Sequence, residues 1–422
     1  MKKVPFTEEM KEEGYTIVIP NMCPIHFEIM QQIFTNHGFK TVLLDNTDPS
    51  LISEGLKYVH NDMCYPALLV IGQMLDAIKR GIVDKDHCAL IITQTGGGCR
   101  ASNYYFLLLK ALERAGLGNI PVISANLQGM NSNPGFKTTY FMLFQAFTAV
   151  IYGDLLMLLS NQTKPYEIHK GDSDRIVEKW VKILGECYEK NRGYWGRNMI
   201  KKLNQISDEF AAVPCNRVPK VKVGVVGEIY MKYSRLGNSN LQGLLEEEDC
   251  EVMILPLMGF VLYCFNHGII DNQYYGGKGK YSFVMRHIVL PFLYMIEDWS
   301  DKAVKRHPEF HPAAKFRELE EYGKKFIDLG CKMGEGWLLT AEMVELIEKG
   351  YDNIVCTQPF GCLPNHICGK GMIRPLKEAY PDSNVVPIDY DPSATRVNQE
   401  NRIKLMLAVA REKLQAETAN RA

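Results

Sequence analysis

The sequence predicts an α/β protein made of two Rossmann-like halves with additional helices. Three observations carry that expectation. Short β-branched runs alternate with amphipathic stretches, the pattern of parallel strands joined by crossover helices. The alternation occurs twice, on either side of a segment with two prolines, Val213–Lys220. The two series also share a local likeness. IITQTGGGC, ending at Cys99, and IVCTQPFGC, ending at Cys362, both read as strand, Thr-Gln, Gly-containing turn and Cys, followed by a helix. The expected division is 1–213 and 214–422, with a cleft between the halves.

In the first half, TIVIP from Thr16 reads as a strand and Pro24–His37 as the helix after it. TVLLD from Thr41 is the second strand, and Tyr65–Arg80 has apolar residues at helical spacing. ALIITQT from Ala89 is a buried strand, Arg100–Ala115 a helix, and PVISAN from Pro121 a strand ending at Asn126. Helical sequence then dominates to about Ala212. In the second half, strands are expected at KVGVVGEIY from Lys222, EVMILP from Glu251, NIVCTQ from Asn353 and VVPIDYD from Val385, which ends at Asp391. The helices expected among them are Leu241–Glu248, Tyr281–Trp299, Pro312–Leu329, Thr340–Lys349 and Ile367–Ala379, with a terminal helix from about Ala394.

Composition narrows the function. The chain has 422 residues, 48 Lys plus Arg against 49 Asp plus Glu, and a net charge of −1. A dedicated nucleic-acid binder would show a basic excess. The start, MKKVPFTEEMKEEG, has basic residues but no apolar segment behind them, so no secretory signal is expected. The most lipid-like stretch, Tyr140–Leu159, is interrupted by Gln145 and Asp154 and reads as a core helix. The expectation is a soluble, cytoplasmic protein. Its 12 cysteines are too sparse for a disulfide scaffold, and a chain this long needs none. In a reducing cytosol they would be free or metal-bound. No CxxC occurs, against a zinc ribbon, a thioredoxin motif or a ferredoxin-type run.

Strand-to-helix turns at the carboxyl end of a parallel sheet are where α/β proteins place ligands. Three cysteines sit at or near such turns: Cys64 in HNDMCYPALL, Cys99 in TGGGCRAS and Cys362 in PFGCLPNH. Glycine permits close backbone approach, and N–H groups at a helix start lower a thiol pKa. Three thiolates from separate loops suit a [4Fe–4S] cluster with one iron left open. The plain alternative is an ordinary buried Cys at each position. Cys23, in PNMCPIH, is either a fourth ligand or a packed small residue. Glu228 is an acid supporting the residues that hold the ligand, a general base, or a capping or structural carboxylate. His366 is a proton donor or a solvent-facing helix-end residue, and Arg100 an anion holder or a surface residue. TGGGCRAS lacks the Lys-Ser/Thr of a phosphate loop, which argues against nucleotide hydrolysis there.

At these residues the chain resembles the 2-hydroxyacyl-CoA dehydratase superfamily, in particular its acyl-CoA dehydratase activase-related branch. The likeness runs from about Tyr15 to Met406. The motifs that carry it are CYP at Cys64, GGGCRASNY from Gly96, GEIYMKYS-x-x-x-N-x-N from Gly227, GEGWLL from Gly334, QPFGCLPNH from Gln358 and DYDPSAT-x-VN-x-x-NR from Asp389. The resemblance implies an iron–sulfur protein of anaerobic metabolism whose cluster would be held by Cys64, Cys99 and Cys362. It also implies an actin-like, ATP-dependent activase as electron donor, and an acyl-CoA or small-molecule substrate. A relative with a double-cubane [8Fe–9S] cluster implies further thiolates, Cys23 first among them. The activase's own phosphate motifs are absent from this chain, and no CoA-binding signature is evident. Three functions remain open: a dehydratase-like or reductive enzyme, an electron carrier or scaffold, and a cluster-free ligand-binding protein. A dimer is compatible with each.

Overall fold

The computed structural model describes residues 3–94, 98–125 and 133–421. Gly96 and Gly97 of the glycine turn, and Asn126, lie outside them. Two four-stranded, fully parallel sheets form the frame. The first contains β1 (Thr16–Pro20), β2 (Lys40–Leu44), β3 (Cys88–Thr93) and β4 (Val122–Ala125), in the order β2-β1-β3-β4. The second contains β5 (Lys222–Gly227), β6 (Glu251–Ile254), β7 (Asn353–Pro359) and β8 (Asn384–Tyr390), in the order β6-β5-β7-β8. The two orders are the same topology used twice. The α/β class and the two Rossmann-like halves are therefore as expected, with one sheet on each side of 213–220.

The strands read as apolar runs because helices cover both faces of a parallel sheet. Val18 and Leu90 of the first sheet, and Val226 and Val355 of the second, are fully buried. Register follows from the crossovers, with Ile17 opposite Thr41 and Gly227 opposite Thr357. Three helices, Tyr140–Thr163, Asp172–Glu189 and Gly196–Ala211, join the halves. The helix from Tyr140 is long and apolar enough to cross a membrane, yet 78% of its most apolar window is buried inside the fold.

Several boundaries differ from expectation. Helix Leu257–Tyr275 was not anticipated; it begins directly after β6 behind Pro256, with no side-chain cap to announce it. The stretch expected as Tyr281–Trp299 is three pieces, Gly279–Val284, a π-helical Met285–Val289 and Leu290–Val304. A π turn inserts a residue without changing the apolar pattern enough to be read. Only Phe316–Lys324 of Pro312–Leu329 is helical, and Ile367–Ala379 is helical in the ordinary sense only from Ile373.

Candidate functional site

In each half the order 2-1-3-4 reverses between the first and third strands, so the crevice opens beyond β1/β3 and β5/β7. The turns that follow these strands carry Cys23 and Cys99 in the first half, and Glu228 and Cys362 in the second. Cys64 enters from the start of helix Tyr65–Lys79, where Pro66 occupies a first-turn position that needs no N–H partner.

Hydrogen bonds join these turns. The Tyr65 N–H donates to the Phe360 carbonyl at 3.0 Å, so the Cys64 turn of one half is bonded to the Cys362 turn of the other. Cys64 Sγ and Tyr104 Oη are 2.9 Å apart, which ties Cys64 to the helix that follows Cys99. Gly361 lies against Cys64 with φ +74°; a Cβ there would come within 3.2 Å of the Cys64 backbone and 3.0 Å of Arg100. Only glycine meets both demands without strain. Arg100 is exposed at the rim, and its guanidinium donates to the Asp62 carbonyl.

Cys64, Cys99 and Cys362 thus share one cleft, and their charges bear on one another and on Glu228 and Glu335. Backbone N–H groups of the following turn lie near each sulfur, but among the described residues only that of Ala101 bonds one, Cys99 Sγ; the Ala67 N–H donates to the Cys64 carbonyl instead. The Ala101 N–H stands 3.4 Å from Cys99 Sγ. Burial pushes all three thiols up, Cys99 to about 11 and Cys362 further, and the N–H groups partly oppose it. Metal-free, the thiols are protonated at neutral pH.

Two carboxylates complete the cleft. Glu228 caps helix Ile229–Tyr233 by accepting the Met231 N–H at 3.0 Å. It follows Gly227, where a Cβ would strike Thr357 of the neighbouring strand. Burial, then the nearby charge of Glu335, raise Glu228 to about 8. Glu335 is buried, raised chiefly by burial, and accepts the Ile229 N–H at 3.0 Å. The sequence reading missed Glu335. Its signal was the glycine on either side, Gly334 and Gly336, both at positive φ. His366 is exposed, and no hydrogen bond among the described residues joins its side chain to the cleft.

The Glu228 shift has a consequence for the metal-free protein. Between about pH 4.5 and 8 the folded state keeps a proton that the unfolded state has lost. Stability is therefore expected to fall as pH rises through that window. Glu228→Gln should flatten the fall, as read by urea unfolding at several pH values.

Cys23 lies elsewhere. Its Sγ is 2.9 Å from His26 Nδ1, and His26 Nε2 is 2.8 Å from Asp154 Oδ1. Asp154 also accepts the Leu257 and Met258 N–H groups at 2.7 and 2.8 Å, at the start of helix Leu257–Tyr275. Burial opposes charge on His26, but the Cys23 thiol and Asp154 outweigh it and hold His26 at about 10. Cys23 is thus engaged in a buried relay rather than turned to the other three thiols. A cavity of about 70 Å³ beside Asp154 is lined also by Glu342 and Glu345, which are already paired with Lys232 and Lys349. Glu335, Cys264, Cys368 and Cys331 also bear electrostatically on Tyr263, whose hydroxyl burial pushes up.

The donor chemistry can be tested against an iron–sulfur cluster. Among the described residues, no three His, Cys, Asp or Glu converge on a single ion. A cubane does not ask for that, since each thiolate binds a different iron. It asks for separated thiols around one space, which Cys64, Cys99 and Cys362 offer, and for N–H donors to sulfur, which the structure shows at Cys99.

A family model described as a CoA enzyme activase uncharacterised domain matches residues 17–85. The matched stretch runs from β1 through helix Tyr65–Lys79 and includes Cys23 and Cys64. No curated protein matches the chain. The match fits the activase-related branch of the dehydratase superfamily.

Proposed function

We propose, from that activase-related match, that this chain is an iron–sulfur protein receiving low-potential electrons from an ATP-dependent activase. It would use them in dehydratase-like or small-molecule reductive chemistry. The observation that supports the reading is the cleft to which three separate turns bring Cys64, Cys99 and Cys362, with the Ala101 N–H at the Cys99 sulfur. Bound by these thiolates, a [4Fe–4S] cluster would supply one-electron redox chemistry and an iron that the three cysteines leave free.

The chain's own residues have definable parts. Because burial keeps the thiols protonated, loading must release their protons, so assembly is favoured by rising pH. Tyr104 contacts Cys64 Sγ and holds it in place. Glu228, at about 8, can hold or give up a proton near neutral pH, the property a general acid or base needs. Arg100 supplies positive charge at the rim, where an anionic substrate or the cluster's own charge would meet it. His366 is exposed past Cys362.

The test is anaerobic reconstitution with iron and sulfide, followed by iron and sulfide counts and EPR after reduction. The expected result is a stoichiometric cluster with an EPR signal from its reduced form. Failure to retain iron would remove the proposal. Reoxidation of the reduced protein by acyl-CoA or small-molecule candidates then separates an enzyme from a carrier.

A further inference from the structure

The two halves repeat one topology, so each position around the cleft has a counterpart. The turn after the first strand carries Cys23 in one half and Glu228 in the other. The turn after the third strand carries Cys99 and Cys362. The helix leading into the third strand starts at Cys64 in the first half, and in the second, where that helix is Trp337–Glu348, just after Glu335. Glu335 therefore stands where the other half places a thiol.

The local backbone is bent to put it there. Gly334 has φ +60° and Gly336 φ +45°. A Cβ at Gly336 would lie 2.1 Å from the Cys331 carbonyl oxygen, and one at Gly334 2.9 Å from Pro364. Glycine adopts these positive φ values at little cost, and a residue with a Cβ would fit at neither place. Glu335 does not cap its own helix with its side chain; Oε1 accepts the Ile229 N–H of the neighbouring helix instead. It is 7% exposed. Of the charged groups around Cys99 and Cys362, Glu335 bears on each most strongly.

We propose that Glu335 is the fourth protein ligand of the cluster, a carboxylate oxygen on the iron that Cys64, Cys99 and Cys362 leave free. The inference rests on the function proposed above. A carboxylate is a harder and weaker partner for iron–sulfur chemistry than a thiolate, so it holds the iron in the resting state and yields it to an incoming substrate oxygen.

The experiment uses the full chain, reconstituted anaerobically with isotopically enriched iron, as wild type, Glu335→Gln and Glu335→Cys. Mössbauer spectra report whether one iron differs from the rest. EPR follows conversion to [3Fe–4S] after one equivalent of ferricyanide. The expected wild-type spectrum has one distinct iron. Glu335→Gln should shed that iron about ten-fold faster or more, and Glu335→Cys more slowly than wild type, with its irons alike. Should Glu335→Gln keep the wild-type spectrum and rate, the ligand assignment falls while the cluster stands. If Glu335→Gln does not fold, an unchanged distinct iron in Glu335→Cys overturns the assignment equally. Wild type without any cluster would instead remove the underlying reading.

Discussion

Serine in place of Cys64, Cys99 or Cys362 is expected to strip or convert the cluster, each variant alone. The three thiols come from three different turns, so none can substitute for another by a small shift of one loop. Serine keeps the shape but offers a hydroxyl that binds iron poorly at neutral pH. Losses in iron affinity of about 10–100-fold follow even from changes behind a ligand, and loss of the ligand itself should cost at least as much. Cys362 should be the most damaging, because it is the thiol that burial raises furthest and that Glu335 and Glu228 both face. Iron and sulfide per chain after reconstitution provide the measurement. Cys88→Ser and Cys250→Ser, both in buried positions away from the cleft, serve as controls that should keep full iron. Three serine variants with undiminished iron would show the ligand set to be wrong.

Asp154→Asn is expected to destabilise the protein by about 3–5 kcal/mol, the cost of leaving a buried charge without its partner. Asp154 is the only link between His26 in the first half and the Leu257 and Met258 N–H groups in the second among the hydrogen bonds described for it. The amide that replaces it keeps one acceptor but cannot balance an imidazolium. The sign of the pH dependence follows from His26, which rises from 6.5 to about 10 on folding. Its contribution is complete below about pH 6.5 and is lost as pH rises through about 10. Urea unfolding should show the wild type losing stability over that alkaline range and Asp154→Asn losing much less. Equal stability of the two proteins at pH 7 would mean that His26 is neutral and the relay merely polar.

Much of the frame was legible because buried parallel strands are short, continuous apolar runs. ALIIT before Cys99 and NIVCT before Cys362 are such runs, and both are strands. The three thiols were legible for a related reason: a cysteine after Gly, or before Tyr-Pro, at a strand end is a local feature of the chain. Glu335 was not, because GEGWLL has no periodicity and its meaning depends on a distant Ile229 N–H. The relay escaped for the same cause. Cys23 and His26 are neighbours in sequence, but Asp154 lies 128 residues beyond His26. Asp154 entered the sequence reading only as a charge too costly for lipid. The structure gives that charge three bonds, to His26, Leu257 and Met258.

The bond from the Tyr65 N–H to the Phe360 carbonyl has a mechanical consequence. It stitches the two halves at one corner of the cleft, beside Cys64 and Cys362. Motion that parts the halves while this stitch holds must swing about it like a door on its hinge. Arg100, which donates to the Asp62 carbonyl and lies against Gly361, stays beside the stitch, so the gap widens most at the opposite end of the cleft. A visiting molecule would therefore enter at that end and meet the guanidinium and the Cys64 corner last.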